Sequence, residues 1–320
     1  MSHSHLTHED RYHIYALMKV GKTQKQIAIE LGKDKSTISR ELRRNKGARG
    51  YRPNQANELA CLRREEAVRP SVLTAEMMII LTPLLEEKWS PEQISGWLKK
   101  NHSMSISHET IYQFVLEDKE NGGTLYTNLR WQKKRRKRYG TKSHDRRGQI
   151  KNKVSIDDRP DVVEEKTRKG DWEGDLVIGK NHKHALVTLV DRKTKLVKIV
   201  KVKSKNADEV GDAICEALME YKVHTITFDN GKEFSRHEDI AKQLKTKIYF
   251  AHPYSSYERG ANENTNGLIR QYFPKKSDFT QLNNEDIVAV ELALNHRPRK
   301  TLDYCTPHEV YYRHKLVRMK

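Results

Sequence analysis

The sequence predicts a multidomain chain: a basic, α-helical front half, then an α/β domain whose mixed five-stranded sheet is flanked by helices. Three observations point there. Apolar residues recur at helical spacing through the front of the chain and at strand spacing from Asp171 onward. The formal net charge of +18 is lopsided, with 31 Lys+Arg against 17 Asp+Glu in residues 1–153 but 30 against 26 in residues 154–320. At 320 residues there is room for two or three domains and a sizeable core. A basic front on a nearly balanced back implies a polyanion-binding region joined to something else, with nucleic acid the leading partner and an anionic membrane surface the alternative. No apolar run approaches the ~20 residues of a membrane span, and MSHSHLTHED lacks a signal-peptide core. Cys61, Cys215 and Cys305 are odd in number and scattered, so neither a disulfide framework nor a Cys-x-x-Cys zinc pair is expected. A reduced, cytoplasmic protein is the plain expectation.

Residues 1–55 are expected to form the first domain. HEDRYHIYALMKVG places Ile14, Leu17 and Met18 at helical spacing, with Gly21 as a stop. In TQKQIAIELG, Thr23 is the cap, Ile27, Ala28 and Leu31 face inward, and Gly32 permits a tight turn. In KDKSTISRELRRN, Ser36 is the expected cap, with Ile38 and Leu42 inward. That leaves Lys35, Thr37, Ser39, Arg40, Arg43 and Arg44 facing out, the layout of a helix-turn-helix whose second helix enters the major groove. The bland alternative is a helical hairpin with a solvated charged face. Residues 56–125 repeat the helix-connection-helix pattern more weakly. There Ser90-Pro91 starts one helix, and Ser107 caps another that turns His108 and Thr110 outward. A structural bundle or dimerisation unit is the competing reading. Residues 126–160 form a basic linker, and within it residues 130–153 hold 12 Lys+Arg and a single acid. Arg135 and Arg136 lie in this run, which repels itself into an extended tether suited to a phosphate backbone. Such contacts carry affinity rather than sequence choice.

Residues 161–320 form the α/β domain. DWEGDLVIGK, HALVTLVDRKTK and LVKIVKVKS read as an antiparallel meander of three strands. NADEVGDAICEALMEYK is an amphipathic helix, VHTITFDNG a fourth strand, RHEDIAKQLK a short helix, TKIYFAHPY a fifth strand and ANENTNGLIRQYF another helix. The order is βββαβαβα. Three acids stand out. Asp175 sits inside the first strand, where a charge is costly unless satisfied. Asp229 ends the fourth strand, and Glu263 falls in the first turn of the last helix. Each has an ordinary reading: Asp229 as a turn residue, Glu263 as an acid favoured at a helix start, and Asp175 as a spectator to Asp171 or Glu173, which share its strand parity. Asp191 reads as a turn residue. His252 reads as a structural hydrogen-bonding group.

The ordered set STISRELRRN, WSPEQI with SHETIY, GDWEGDLVIG, LVDRKT, ITFDNGKEF, YSSYERGANENTNGLIRQYFPK and TPHEV resembles the DDE transposases of bacterial insertion sequences, within them the insertion-sequence-thirty family. The resemblance spans nearly the whole chain and implies a ribonuclease H-like catalytic core with the triad Asp175, Asp229 and Glu263. It also implies a basic residue two helical turns after the glutamate, a place held here by Arg270, whose i+7 spacing keeps it on one face. Three carboxylates suit Mg²⁺ or Mn²⁺, and two such ions can serve an in-line displacement at phosphorus. Water would first free a 3′-hydroxyl, which would then attack a second phosphodiester. The implied partners are double-stranded DNA, as terminal inverted repeats and target, and further copies of the chain in a homodimer or larger assembly. No membrane or small-molecule cofactor is implied, and the setting is the bacterial cytoplasm, on the nucleoid. Rival readings are a metal nuclease that cuts without joining, a non-enzymatic repressor using the front half alone, and a tyrosine recombinase.

Overall fold

The computed structural model describes residues 5–66, 73–130, 150–253 and 255–317. Arg135 and Arg136 lie outside the described residues. The chain divides into two compact units, Met1–Val72 and Leu73–Lys320.

The first unit contains α1 (His8–Lys19), α2 (Gln24–Glu30), α3 (Lys35–Arg44), a two-residue ribbon of β1 (Lys46–Gly47) and β2 (Gly50–Tyr51), and α4 (Pro53–Glu66). Thr7 and Thr23 form capping boxes with Asp10 and Gln26, satisfying orphan N–H groups at both helix starts. Gly32 turns between α2 and α3 at φ +59°. The cap of α3 is Asp34, two positions before Ser36, because its carboxylate accepts the Ser36 N–H at 2.7 Å. Ile14, Ile27, Ala28 and Ile38 are buried together, whereas Met18 is 39% exposed. Beneath them Arg11 pairs with Glu41 at 2.8 Å and donates to Asn57 of α4, which ties α4 to α1. This places the first unit's boundary beyond residue 55.

The second unit opens with α5 (Ala75–Glu86), α6 (Pro91–Asn101) and α7 (His108–Glu120). They share a core of Leu81, Leu85, Ile94, Leu98, Ile111 and Val115. This helical region belongs to the same compact unit as the sheet rather than forming a domain apart. Lys88 donates to the Gln271 carbonyl at 2.9 Å and Lys100 to the Asp303 carboxylate at 3.1 Å. Gly96 leaves room for the Tyr304 ring on α6.

After short α8 (Asp161–Glu165) come β3 (Asp171–Ile178), β4 (Ala185–Asp191), β5 (Val197–Val202), α9 (Ala207–Leu218), β6 (Thr225–Phe228), α10 (His237–Leu244), β7 (Lys247–Phe250) and α11 (Gly260–Tyr272). The order matches the expected βββαβαβα. Two further helices, α12 (Asn284–Asn295) and α13 (Pro307–Val317), were not anticipated. The sheet runs β5-β4-β3-β6-β7, with β3, β4 and β5 antiparallel and β6 and β7 parallel to β3.

Side-chain parity sorts the strands onto two cores. Trp172, Val187, Leu189, Ile226 and Phe228 pack with Val210, Ile214 and Leu218 of α9 and Ile240 of α10. On the opposite face Val177, Leu186, Val190 and Ile199 pack with Leu268 and Ile269 of α11 and Val290 and Leu294 of α12. Asp171, Glu173 and Asp175 share the parity of Val177 and so lie on the α11 face. Both outer strands are covered. Asn295 of α12 bonds both the Val197 N–H and carbonyl of β5 at 2.8 Å, and Glu291 accepts the Ile199 N–H at 2.8 Å. On the far side the Phe250 N–H of β7 donates to the Val154 carbonyl at 2.9 Å.

Candidate active site

Register brings the two aspartates together. In the parallel pair, Asp171 lies opposite Thr225 and Glu173 opposite Thr227, an offset that continues to Asp175 and Asp229. Neighbouring strands lie about 4.8 Å apart, so the 53 intervening residues return the chain to the adjacent strand at the same height. Gly174 makes this possible locally, since a Cβ there would overlap the Phe228 ring stacked on Phe234.

Between the two carboxylates stands Arg259, from the turn before α11. Its Nη1 lies 3.6 Å from Asp175 and its Nη2 lies 3.4 Å from Asp229, while Nη1 also donates to the Gly174 carbonyl at 3.2 Å. Asp175 further accepts the Leu176 N–H at 2.9 Å and the Asn266 amide at 2.8 Å, and Asn266 accepts the Thr188 hydroxyl at 3.0 Å. Burial pushes the Asp175 carboxyl up, Arg259 opposes the rise and Asp229 adds to it. Asp229 closes its own loop by accepting the Gly231 N–H at 3.0 Å.

Glu263 is exposed on the first turn of α11. Residues three and four apart share a helix face, so Glu263 stands between Arg259 and Asn266, both of which touch Asp175. Among the described residues no three His, Cys, Asp or Glu side chains converge closely enough to hold an ion. The structure thus joins Asp175 and Asp229 through Arg259 and leaves Glu263 beside them on the same face. Its several rotatable bonds give it reach.

The parity mates of Asp175 are otherwise engaged. Asp171 accepts two hydrogen bonds from Arg168, at 2.8 and 2.9 Å, and one from the Thr225 hydroxyl at 2.8 Å. Glu173 pairs with Arg192 at 3.0 Å and accepts the Asn262 N–H at 3.0 Å, holding the N-terminus of α11. Asp191 is a buried turn residue accepting from Gly170 N–H and from Thr194 backbone and hydroxyl. Arg270 turns its guanidinium to the Ile178 carbonyl at 2.9 Å and to the Phe273 and Pro274 carbonyls, away from the carboxylates. The sequence does not mark Arg259, and it marks Asn266 only as a DNA contact or a residue shaping the helix start, not as a partner of Asp175. The only signal was their i−4 and i+3 spacing from Glu263.

In the first unit Lys35, Ser39, Arg40, Arg43 and Arg44 are exposed on α3, with Thr37 half-buried. Thr37, Arg40 and Arg44 line a groove of about 400 Å³ shared with Arg63 and Arg64 of α4. His108 is exposed on α7, while the Thr110 hydroxyl lies 2.9 Å from Ser107, within the cap. No helix among the described residues is long and apolar enough to cross a membrane.

Family models match the chain twice: a helix-turn-helix domain over residues 2–45 and an integrase core domain over residues 166–256. The transposase for insertion sequence element IS4351 of Bacteroides fragilis is 47% identical, covering 96% of this chain and 95% of its own. Transposase InsI for insertion sequence element IS30A of Escherichia coli K12 is 36% identical, over 97% of this chain and 84% of its own. The transposase for insertion sequence element IS1086 of Cupriavidus metallidurans is 34% identical over 94% and 92%.

Proposed function

Because the chain belongs to the IS30 family of insertion-sequence transposases, DNA-cleaving and strand-transferring enzymes with helix-turn-helix and integrase core domains, we propose that Asp175, Asp229 and Glu263 form its metal-dependent active centre. The observation that carries this reading is the Arg259 guanidinium spanning Asp175 and Asp229: the space between those carboxylates accepts positive charge. The donor set is all oxygen, which suits Mg²⁺ or Mn²⁺. When bound, a pair of such ions would activate the attacking oxygen and offset charge on the leaving one.

The chain's own residues do the positioning. Asn266 and the Leu176 N–H fix the Asp175 carboxylate, and the Asx turn at Gly231 fixes Asp229. Glu173 seats the start of α11, so that Glu263 faces the same opening. Arg259 holds the two aspartates together until a stronger cation competes. The exposed basic face of α3 reads the terminal inverted repeats of the element. Hydrolysis at the element's end frees a 3′-hydroxyl, and that hydroxyl then attacks target DNA at the same centre. Two ends require at least two copies of the chain, one per end.

The test is a strand-transfer assay on labelled terminal-repeat DNA with Mg²⁺, comparing the wild type with Asp229→Asn. The expected result is cleavage and joining by the wild type, with both lost in a variant that still binds DNA. Cleavage without joining would favour a plain nuclease. Undiminished activity in Asp229→Asn would overturn the catalytic assignment.

A further inference from the structure

A second concentration of charge lies on another face of α11. Arg297 and Arg299, after α12, are 2% and 8% exposed. Among the described residues neither pairs with a carboxylate. Arg297 donates to the Gln271 side chain at 2.9 Å and Arg299 to the Leu294 carbonyl at 2.8 Å, and the Nε of each is buried without a partner. Both line a cavity of about 260 Å³ with Lys88, Asn128, Arg130 and Gln271. Lys88 sits 4.4 Å over the Tyr272 ring, and Arg130 donates to Asn264 at 2.8 Å. The one carboxylate lining this cavity among the described residues, Glu92, is paired with Lys300 at 2.6 Å. Burial pushes Arg297 down to about 10. Burial and then the Arg297 charge push Arg299 down to about 9.

Taking guanidinium groups out of water without a counter-charge is expensive, and the cost falls when an anion with several acceptor oxygens enters. Arginine forks match phosphate oxygens, and the cavity has room for a phosphate and several waters at about 30 Å³ each. Its position narrows the occupant. Asn264, Leu268 and Gln271 face this cavity, while Asn266 on the same helix donates to Asp175. A helix is about 10 Å across, so the same DNA strand can serve both faces.

We propose that the cavity walled by Lys88, Arg130, Arg297 and Arg299 is a phosphodiester subsite that grips the backbone of the DNA strand being processed. This rests on the transposase reading but not on which acids do the chemistry. A phosphate seated there ties the helical region α5–α7 to the α/β body through the substrate and sets how far the strand advances toward the carboxylates.

The experiment uses the full chain and duplexes of the terminal repeat, each carrying one neutral methylphosphonate at a successive position of the processed strand. For the wild type, one or two adjacent positions should weaken binding several-fold. Lys88→Gln and Arg297→Gln should weaken binding to the unmodified duplex similarly, lose the methylphosphonate penalty and flatten the log K against log salt slope by about one. Circular dichroism checks folding, and Lys88→Gln decides alone if the buried substitution unfolds. In a parallel arm, inorganic phosphate at constant ionic strength is followed by thermal shift. Stabilisation by phosphate without any methylphosphonate position coupling to the variants would assign the cavity to free phosphate and overturn the proposal. So would additive penalties in both variants. These are binding readouts, so Asp229→Asn failing to abolish cleavage would sink the catalytic reading and leave this one standing.

Discussion

Asp171, Glu173 and Asp175 point to one face of one strand, yet their surroundings give them different work. Glu173 is 2% exposed and balances Arg192, so Glu173→Ala is expected to lower stability by about 3 kcal/mol, measured by urea unfolding. Asp175→Asn should stay folded and lose strand transfer, since Asp229 still faces the largely buried Arg259 and an amide oxygen can still accept from Asn266. A stable Glu173→Ala protein would undo this division. Strand parity made the three acids legible in the sequence. Which of them accepts internal donors was not, because Arg192 reaches Glu173 and Thr225 reaches Asp171 only after the chain has folded. His252 shows the same gap. Its ring nitrogens meet Glu258 at 2.9 Å and Asp157 at 3.0 Å, and the hydrogen bond to Glu258, then the Asp157 charge, hold its pKa above the ordinary histidine value. A raised folded pKa means that this clamp contributes fully below the unfolded value near 6.5 and is lost as pH rises through the folded value. An NMR titration should find the His252 midpoint above the ordinary histidine value near 6.5. A midpoint at or below it would discard the clamp.

Periodicity located α9, α10 and α11 and the five strands because each has one apolar face and one wet one. It missed α12, although Asn295 and Glu291 hold the backbone of β5. That function is polar and shows no period. Asn295→Ala should leave the Val197 N–H and carbonyl unsatisfied and cost about 2 kcal/mol, with faster amide exchange confined to β5. Uniform exchange across the sheet would refute a local role. The cap of α3 was misplaced by two residues because Asp34 and Ser36 are both good caps, and only the backbone's entry angle chooses between them.

Across the molecule, the surplus of 14 positive charges in residues 1–153 against 4 in residues 154–320 places most phosphate affinity toward the front. Binding should therefore be steeply salt-dependent, falling by roughly 10³-fold or more between 50 and 200 mM salt if six or more phosphates are neutralised. A fluorescence-anisotropy titration with random-sequence duplex measures this, and a flat response would deny the charge its role. Composition made that charge imbalance legible, and ordered motifs pointed to the two aspartates that the fold brings to either side of Arg259. The joining of α5–α7 to the sheet was hidden, because it runs through lone long-range contacts such as Lys88 on Gln271. The stoppered margins of the sheet have a last consequence. With Asn295 and Glu291 holding backbone groups of β5 on one flank and the Val154 segment meeting Phe250 on the other, a strand from a second copy finds the ladder interrupted at both edges. In the assembly proposed above, copies would then clasp through side chains rather than through a shared sheet, an attachment that can be released once the joined product is let go.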